Sequence, residues 1–415
     1  MKKFLFFVLI ISTAVLFVSC IPGQNVGDDG SPEQIVINTL VNEIETNVKF
    51  FAYKDGKSGD WNKLTGSLGR YAFTPEAEDG NYSVFVVYEY YNQYQNKYGY
   101  DIEIINANKD ELATLNMNFE DWTVETNPAT INVNFSYDFL NKYTAMFYGV
   151  YHGFHTPSGN DDLSYELPVV NGTKDFVITT TTDYDDYHDS IYIDRDLEVS
   201  GEVTKNISVS DFVTLETFIA TSTIEGVNIW SEILVGGETG IFPYLDGYNN
   251  AKLPDSISNS SDLYVLEMSK SELGLDRRIY KYKNSVNSTE YMNTLPSSTW
   301  AEPVLTNDSN VVSLSWNNYD SGISTHETRA YRIGIQSSDY WRTWYVTNTT
   351  GWLGSASSYN YTMPDLSSLS GWQDIWYPEN SNDYMNFMAI TSNNSNFDLY
   401  FNPIDGYEYG YILRY

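Results

Sequence analysis

Short runs of β-branched and aromatic residues, broken by Gly, Asn, Asp, Ser or Pro roughly every ten residues, fill the chain from Ile35 onward. No other feature constrains the fold as tightly. Turns that frequent leave no room for helices of ordinary length, and nothing alternates strand with helix as a βαβ unit must. The pattern predicts an all-β protein of antiparallel β-sandwiches. The 415 residues, 42% of them hydrophobic, are enough for several such cores. Strands are expected over Ile35–Val41, Arg70–Thr74, Asn81–Tyr91, Tyr98–Ile105, Ile131–Tyr137, Tyr143–Val150, Asp175–Thr182, Val213–Thr221, Ile229–Val235, Leu263–Met268, Arg278–Lys283, Val311–Trp316, Ala330–Ile335, Tyr340–Thr347, Met385–Thr391 and Asp398–Asn402. Lys109–Leu115 is the best short-helix candidate, with Leu112 and Leu115 three apart. In Asn81–Tyr91 both faces are apolar, Tyr82, Val84, Val86 and Tyr88 on one and Phe85, Val87 and Tyr91 roughly on the other, which predicts either a strand covered on both sides or an aromatic-rich exposed face.

The N-terminal residues are of another kind. Lys2 and Lys3 precede an apolar run from Phe4 to Val18, the length of a signal-peptide core and short for a membrane span. The single cysteine, Cys20, follows directly in Phe17-Val18-Ser19-Cys20. This resembles a bacterial lipobox, with Phe17 where the family prefers Leu. The resemblance implies cleavage before Cys20, lipidation of that residue, and a membrane-anchored, extracytoplasmic protein. Ile21 in place of the Asp that retains lipoproteins at an inner membrane implies the outer membrane where there are two. Residues 20–34 then form a flexible tether.

Charge and cysteine count exclude several classes. With 23 Lys and Arg against 55 Asp and Glu, the formal charge is -32. A phosphate backbone needs a basic footprint, so no nucleic-acid partner is expected. One cysteine excludes a disulfide framework and a multi-cysteine zinc site.

Two segments repeat a pattern. Tyr71-Ala72-Phe73-Thr74-Pro75 precedes Gly80-Asn81-Tyr82-Ser83-Val84, and Tyr165-Glu166-Leu167-Pro168 precedes Gly172-Thr173-Lys174-Asp175-Phe176. Each is an aromatic–apolar strand end, a turn, and a glycine that can supply positive φ before an alternating strand. This resembles the hairpin of transthyretin-like, carboxypeptidase-regulatory-like sandwiches and sets a repeat of about ninety residues. Further on, Val311–Trp316 and Tyr331–Ile335 resemble successive strands of a fibronectin type III module. The expected domains are therefore a signal peptide at 1–19, the tether at 20–34, sandwiches at 35–127, 128–210 and 211–296, and a separable Trp-rich sandwich at 297–415 with a long loop over Gly351–Tyr377.

Chemistry-bearing motifs are sparse. No nucleophile elbow, metalloprotease helix or phosphate loop occurs. His152 and His155 lie three apart, so on one strand they face opposite sides. The Asp183–Asp189 loop, with Asp185, Asp186 and His188, is dense in oxygen ligands but lacks the EF-hand glycine and glutamate, so an acidic turn is weighed against calcium. No catalytic residue, cofactor or metal is assigned. The remaining signal is aromatic: Trp341, Trp344, Trp352, Trp372 and Trp376 are a possible stacking platform for glycan, weighed against plain core packing. The expected role is non-catalytic, as surface structure or in binding a glycan or surface protein. The alternative is a secreted hydrolase using a carboxylate pair.

Overall fold

The computed structural model describes residues 34–42, 44–92, 96–119, 129–139, 142–149, 151–155, 163–181, 189–237, 239–241, 244–245, 249–272, 274–308, 311–337, 341–378, 384–401 and 403–414. Nearly all its regular structure is strand, in antiparallel and mixed sheets that pack as sandwiches. No helix among these residues is long and apolar enough to cross a membrane.

The first sandwich contains β1 (Ile35–Val41), β2 (Ile44–Glu45), β3 (Phe50–Asp55), β4 (Trp61–Lys63), β5 (Arg70–Phe73), β6 (Asn81–Asn92), β7 (Lys97–Asn108) and β8 (Thr114–Phe119). β1 lies between antiparallel β5 and parallel β8. The facing strands run β4-β3-β6-β7. The second contains β9 (Ala129–Phe135), β10 (Tyr143–Tyr148), β11 (Tyr151–His155), β12 (Ser164–Val169), β13 (Gly172–Thr181), β14 (Ser190–Val199), β15 (Glu202–Ile207) and β16 (Val213–Thr214). Here β9 lies between antiparallel β12 and parallel β15, facing β11-β10-β13-β14. The third contains β17 (Glu216–Thr221), β18 (Asn228–Val235), β19 (Thr239–Ile241), β20 (Tyr244–Leu245), β21 (Asn249–Lys252), β22 (Leu263–Glu272), β23 (Leu275–Lys283) and β24 (Thr289–Tyr291). β17 lies between antiparallel β21 and parallel β24, facing β19-β18-β22-β23. One strand order is thus used three times.

The fourth sandwich is wired differently. It contains β25 (Val304–Asp308), β26 (Val311–Asn317), β27 (Glu327–Gln336), β28 (Arg342–Thr349), the one-turn α1 (Thr350–Leu353), β29 (Ser358–Thr362), β30 (Tyr384–Ser392) and β31 (Glu408–Arg414). β25-β26-β29 faces β28-β27-β30-β31, all antiparallel.

Three of the sandwiches are joined through their sheets. β31 pairs with β23 of the third, and β28 pairs in parallel with β7 of the first. A single sheet of twelve strands therefore runs β19-β18-β22-β23-β31-β30-β27-β28-β7-β6-β3-β4. The sandwich expected at 297–415 thus has a hydrogen-bonded neighbour at both edges of its sheet. β16, beyond the expected boundary at 210, pairs with β14. The second sandwich packs Val177 and Ile191 against Ile233, Ala251 and Tyr264 of the third.

Pairing satisfies edge groups that would otherwise be open. It also explains the two apolar faces of β6. Val84 and Val86 point into the first sandwich, while Phe85 and Val87 join the core of the fourth. Two further expectations fail. Lys109–Leu115 is a turn leading into β8; Leu112 and Leu115 are buried in the first core without a helix. Of the strand expected over Asp398–Asn402, the described residues 398–401 are not strand, and Asn402 lies outside the described residues: Phe397–Tyr400 forms a short 3-10 turn on the outer face of the fourth sandwich, where Phe397 packs with Ile390 and Tyr411.

Candidate functional site at the seam between the third and fourth sandwiches

The five tryptophans proposed as a platform do not form one. Trp344 points inward from β28 and is 0% exposed; Trp376 is 1% exposed. Trp344 Nε1 donates to the Trp376 carbonyl at 2.8 Å. Trp372 is half-buried, with its ring 5.9 Å from Phe50, 5.5 Å from Phe85 and 5.6 Å from Trp376. The fold thus gathers Trp344, Trp372 and Trp376, but between the fourth sandwich and the outer face of the first. The long Gly351–Tyr377 segment is the cover that the outer face of β3 and β6 requires. Lys63 Nζ ties it down by donating to the Ser370 carbonyl at 3.0 Å. Trp352 is half-buried at the margin of the same core, 6.3 Å from Tyr361 and under Lys57 (5.3 Å), while half-buried Trp341 lies under Lys97 (4.9 Å).

Cys20 and residues 182–188 of the acidic loop lie outside the described residues. Asp189, at the loop's end, accepts from Ser190 Oγ at 3.0 Å. His152 is exposed, edge-on to Phe154. Among the described residues, no group of three His, Cys, Asp or Glu side chains is placed to hold a metal.

What the fold does assemble lies on the β23–β31 seam. The register sets Lys281 opposite Glu408, Tyr280 opposite Tyr409 and Arg278 opposite Tyr411. Strand alternation sends Arg277 and Lys281 to one face, and Asp276, Arg278, Tyr280 and Tyr282 to the other. Gly410 sits where the 293–300 linker crosses: a Cβ there would come within 2.9 Å of the Arg278 carbonyl and of Pro296.

On the first face is a cleft of about 640 Å³, walled by Arg277, Lys281, Glu408, Asn293, Ser324 and Thr325. Lys281 pairs with Glu408 at 3.2 Å; Arg277 pairs with Glu272 and donates to the Pro296 carbonyl, each at 3.1 Å. Buried His326 lies behind, with Nε2 3.7 Å from Glu408 Oε2. His326, against the cost of burial, and then Lys281 hold the Glu408 carboxyl below its usual range. The wall mixes charged groups, hydroxyls and an amide over an apolar floor of Ile224, Leu295 and Ile323.

The second face is a tyrosine layer over buried charge. Tyr280 stacks on Tyr409 with ring centres 4.6 Å apart, and Tyr400 meets Tyr409 edge-on at 5.0 Å. Beneath, Arg278 reaches Glu267 Oε1 at 3.1 Å and Asp276 Oδ2 at 2.7 Å. Glu232, on β18, is the diagonal neighbour of Glu267: their register partners are Val265 and Trp230. Burial, and then the charge of Glu267, pushes Glu232 up to about 8. Burial likewise raises Glu267, against the pull of Arg278. Sequence reading missed this pair. The signal was present, a lone Glu inside the apolar runs Ile229–Val235 and Leu263–Met268.

No family model matches the chain, and no curated protein matches it. Among solved structures, the Bacillus anthracis TIE protein aligns at 10% identity with a TM-score of 0.15, over 63% of this chain and 50% of that one. The chain thus spans about half the length of that protein, and a superposition this loose transfers neither fold nor role.

Proposed function

We infer that this is a non-catalytic cell-envelope lipoprotein whose body is a rigid surface unit that binds a glycan or another polar ligand in the seam cleft. The observation that carries the reading is the cleft itself: a concave, half-polar space where two sandwiches meet, the setting in which binding sites recur. The thrice-used strand order supports transthyretin-like modules, and the strand order of the fourth sandwich supports a fibronectin type III-like module. The outer membrane is the proposed location in an organism with two, held by acylated Cys20. The experiment is a glycan array with the mature protein, repeated with Thr325→Arg, which fills the cleft. We expect binding that Thr325→Arg removes without lowering the melting temperature; binding indifferent to the change would refute the cleft. The anchor is tested separately. Cys20→Ser should abolish fatty-acid labelling and release the protein from membranes, and equal labelling of both forms would end the lipoprotein reading.

One observation favours a second reading as a hydrolase: Glu232 and Glu267 are neighbouring carboxyls, both with raised pKa. They face away from the cleft, and Glu267 is 2% exposed, so a glycosidic oxygen has no approach to it. Glycosidase turnover by the wild type that Glu267→Gln abolishes would restore that reading.

A further inference from the structure

The seam cleft is a donor-rich hollow in an acidic chain. The formal charge of the sequence is -32, yet of the charged side chains that wall the cleft, Arg277 and Lys281 are cations and Glu408 is the one carboxylate. These groups are not equally engaged. Arg277 is committed, with its two terminal nitrogens on Glu272 and the Pro296 carbonyl. Lys281 pairs with Glu408 Oε1 at 3.2 Å, and an ammonium has further protons to place. The two side chains keep 22% and 30% of their surface exposed, so a ligand can reach the pair. Asn293 turns its carbonyl back to Thr223, accepting from the backbone N–H at 2.9 Å and from the hydroxyl at 3.2 Å. Its NH2 is left as the group it can offer the cleft. Glu408, for its part, has a second partner within reach. His326 behind it is fully buried, and its Nε2 has no hydrogen-bond partner. That nitrogen stands 3.7 Å from Glu408 Oε2, just outside hydrogen-bond range. With a proton on Nε2, closing the gap by under about 1 Å gives Glu408 a donor in place of Lys281.

We propose that the cleft takes a saccharide carrying a carboxylate, and that the ligand's carboxylate replaces Glu408 on Lys281 while Glu408 moves to His326. This rests on the reading of the cleft as a binding site and names the ligand class. One carboxylate takes the place of another on the ammonium, so Lys281 keeps a charged partner throughout. A phosphate dianion would set twice the negative charge beside Glu408 and is disfavoured. A sugar ring also suits the rest of the hollow. The floor of Ile224, Leu295 and Ile323 is apolar ground for its C–H face, and Asn293, Ser324 and Thr325 can hydrogen-bond its hydroxyls.

The test is titration calorimetry of the full mature protein with trigalacturonate and with the same trisaccharide after its carboxylates are reduced to alcohols. The acidic form should bind at least about tenfold more tightly, the effect of one hydrogen bond to a charged group. Lys281→Met should remove that advantage. Glu408→Gln, which takes away the competing carboxylate, should enlarge it. An advantage unchanged in Lys281→Met, or reduced in Glu408→Gln, would overturn the exchange. Equal affinity of the wild type for both trisaccharides would overturn the ligand class, and if Thr325→Arg abolishes both, the cleft itself still stands. Binding of neither would also overturn it, whereas a neutral glycan held by the wild type and lost in Thr325→Arg would uphold the cleft. Should Lys281→Met or Glu408→Gln fail to fold, the wild-type comparison repeated in Thr325→Arg decides: an acidic preference that survives there refutes the proposal.

Discussion

Single residues carry effects that their types alone do not announce. Gly80 and Gly172 stand at matching points, before β6 and at the start of β13, with φ of 65° and 152°. Both lie in the region that favours glycine. A valine at either should destabilise the protein by about 1 kcal/mol or more, read as a lower urea midpoint. At Gly80 the added Cβ also meets the Lys109 side chain at 3.0 Å, though that flexible chain can move aside. Unchanged midpoints would mean these corners do not need positive φ. The tryptophans divide just as sharply. Trp344→Ala removes a fully buried indole and its bond to Trp376, and should cost about 3–5 kcal/mol. Trp341→Ala takes away a half-exposed ring beneath Lys97 and should cost under about 1 kcal/mol. Equal losses in thermal unfolding would contradict the placement of Trp344.

Among elements, the join between β7 and β28 carries two carboxyls whose protonation burial favours. Asp101 and Glu103 lie along β7, opposite Thr343 and Tyr345. Burial, and then Glu103, pushes Asp101 up to about 7. Burial also raises Glu103, which pairs with Arg332 at 3.1 Å. A carboxyl whose folded pKa is raised holds a proton that the unfolded chain has already released. Its stabilisation is complete below the unfolded pKa near 4 and is lost as pH climbs toward 7. Stability should therefore fall across that window, and Asp101→Asn should flatten the fall. Chemical denaturation at pH 4.5, 6 and 7.5 checks this, and parallel curves for the two proteins would refute it.

For the whole molecule, the decisive fact is where the last sandwich sits. It comes last along the chain, yet in the sheet it lies between the first and the third. Without β31 the edges of β23 and β30 lose their partners, and open edges template association. A chain ending at residue 407 should lose cooperative unfolding and associate in light scattering. A monomer that melts in one transition would show that the seam is dispensable. The same wiring couples the sandwiches mechanically, since the cleft walls, the tyrosine layer and the aromatic cover all join side chains from two of them.

The sequence by itself determined the all-β class, most strand positions, the special backbone at Gly80 and Gly172, and the two apolar faces of Asn81–Tyr91. Each follows from neighbours a few residues apart: alternation, turn chemistry, and the width of an apolar run. The C-terminal strand Glu408–Arg414 was missed although its residues are strand-prone, because the turn residues around Gly406 and Gly410 disguise its period. Tertiary structure alone decided which edges meet. Asn106 bonds Asn348 at 2.8 Å across 242 positions, and no local pattern encodes that pairing. It also decided that tryptophans fit for a ligand became cover for a second apolar face, and that two glutamates from different strands became neighbours. A side chain's role depends on what lies across from it, and in a sheet built from three sandwiches that neighbour comes from distant sequence.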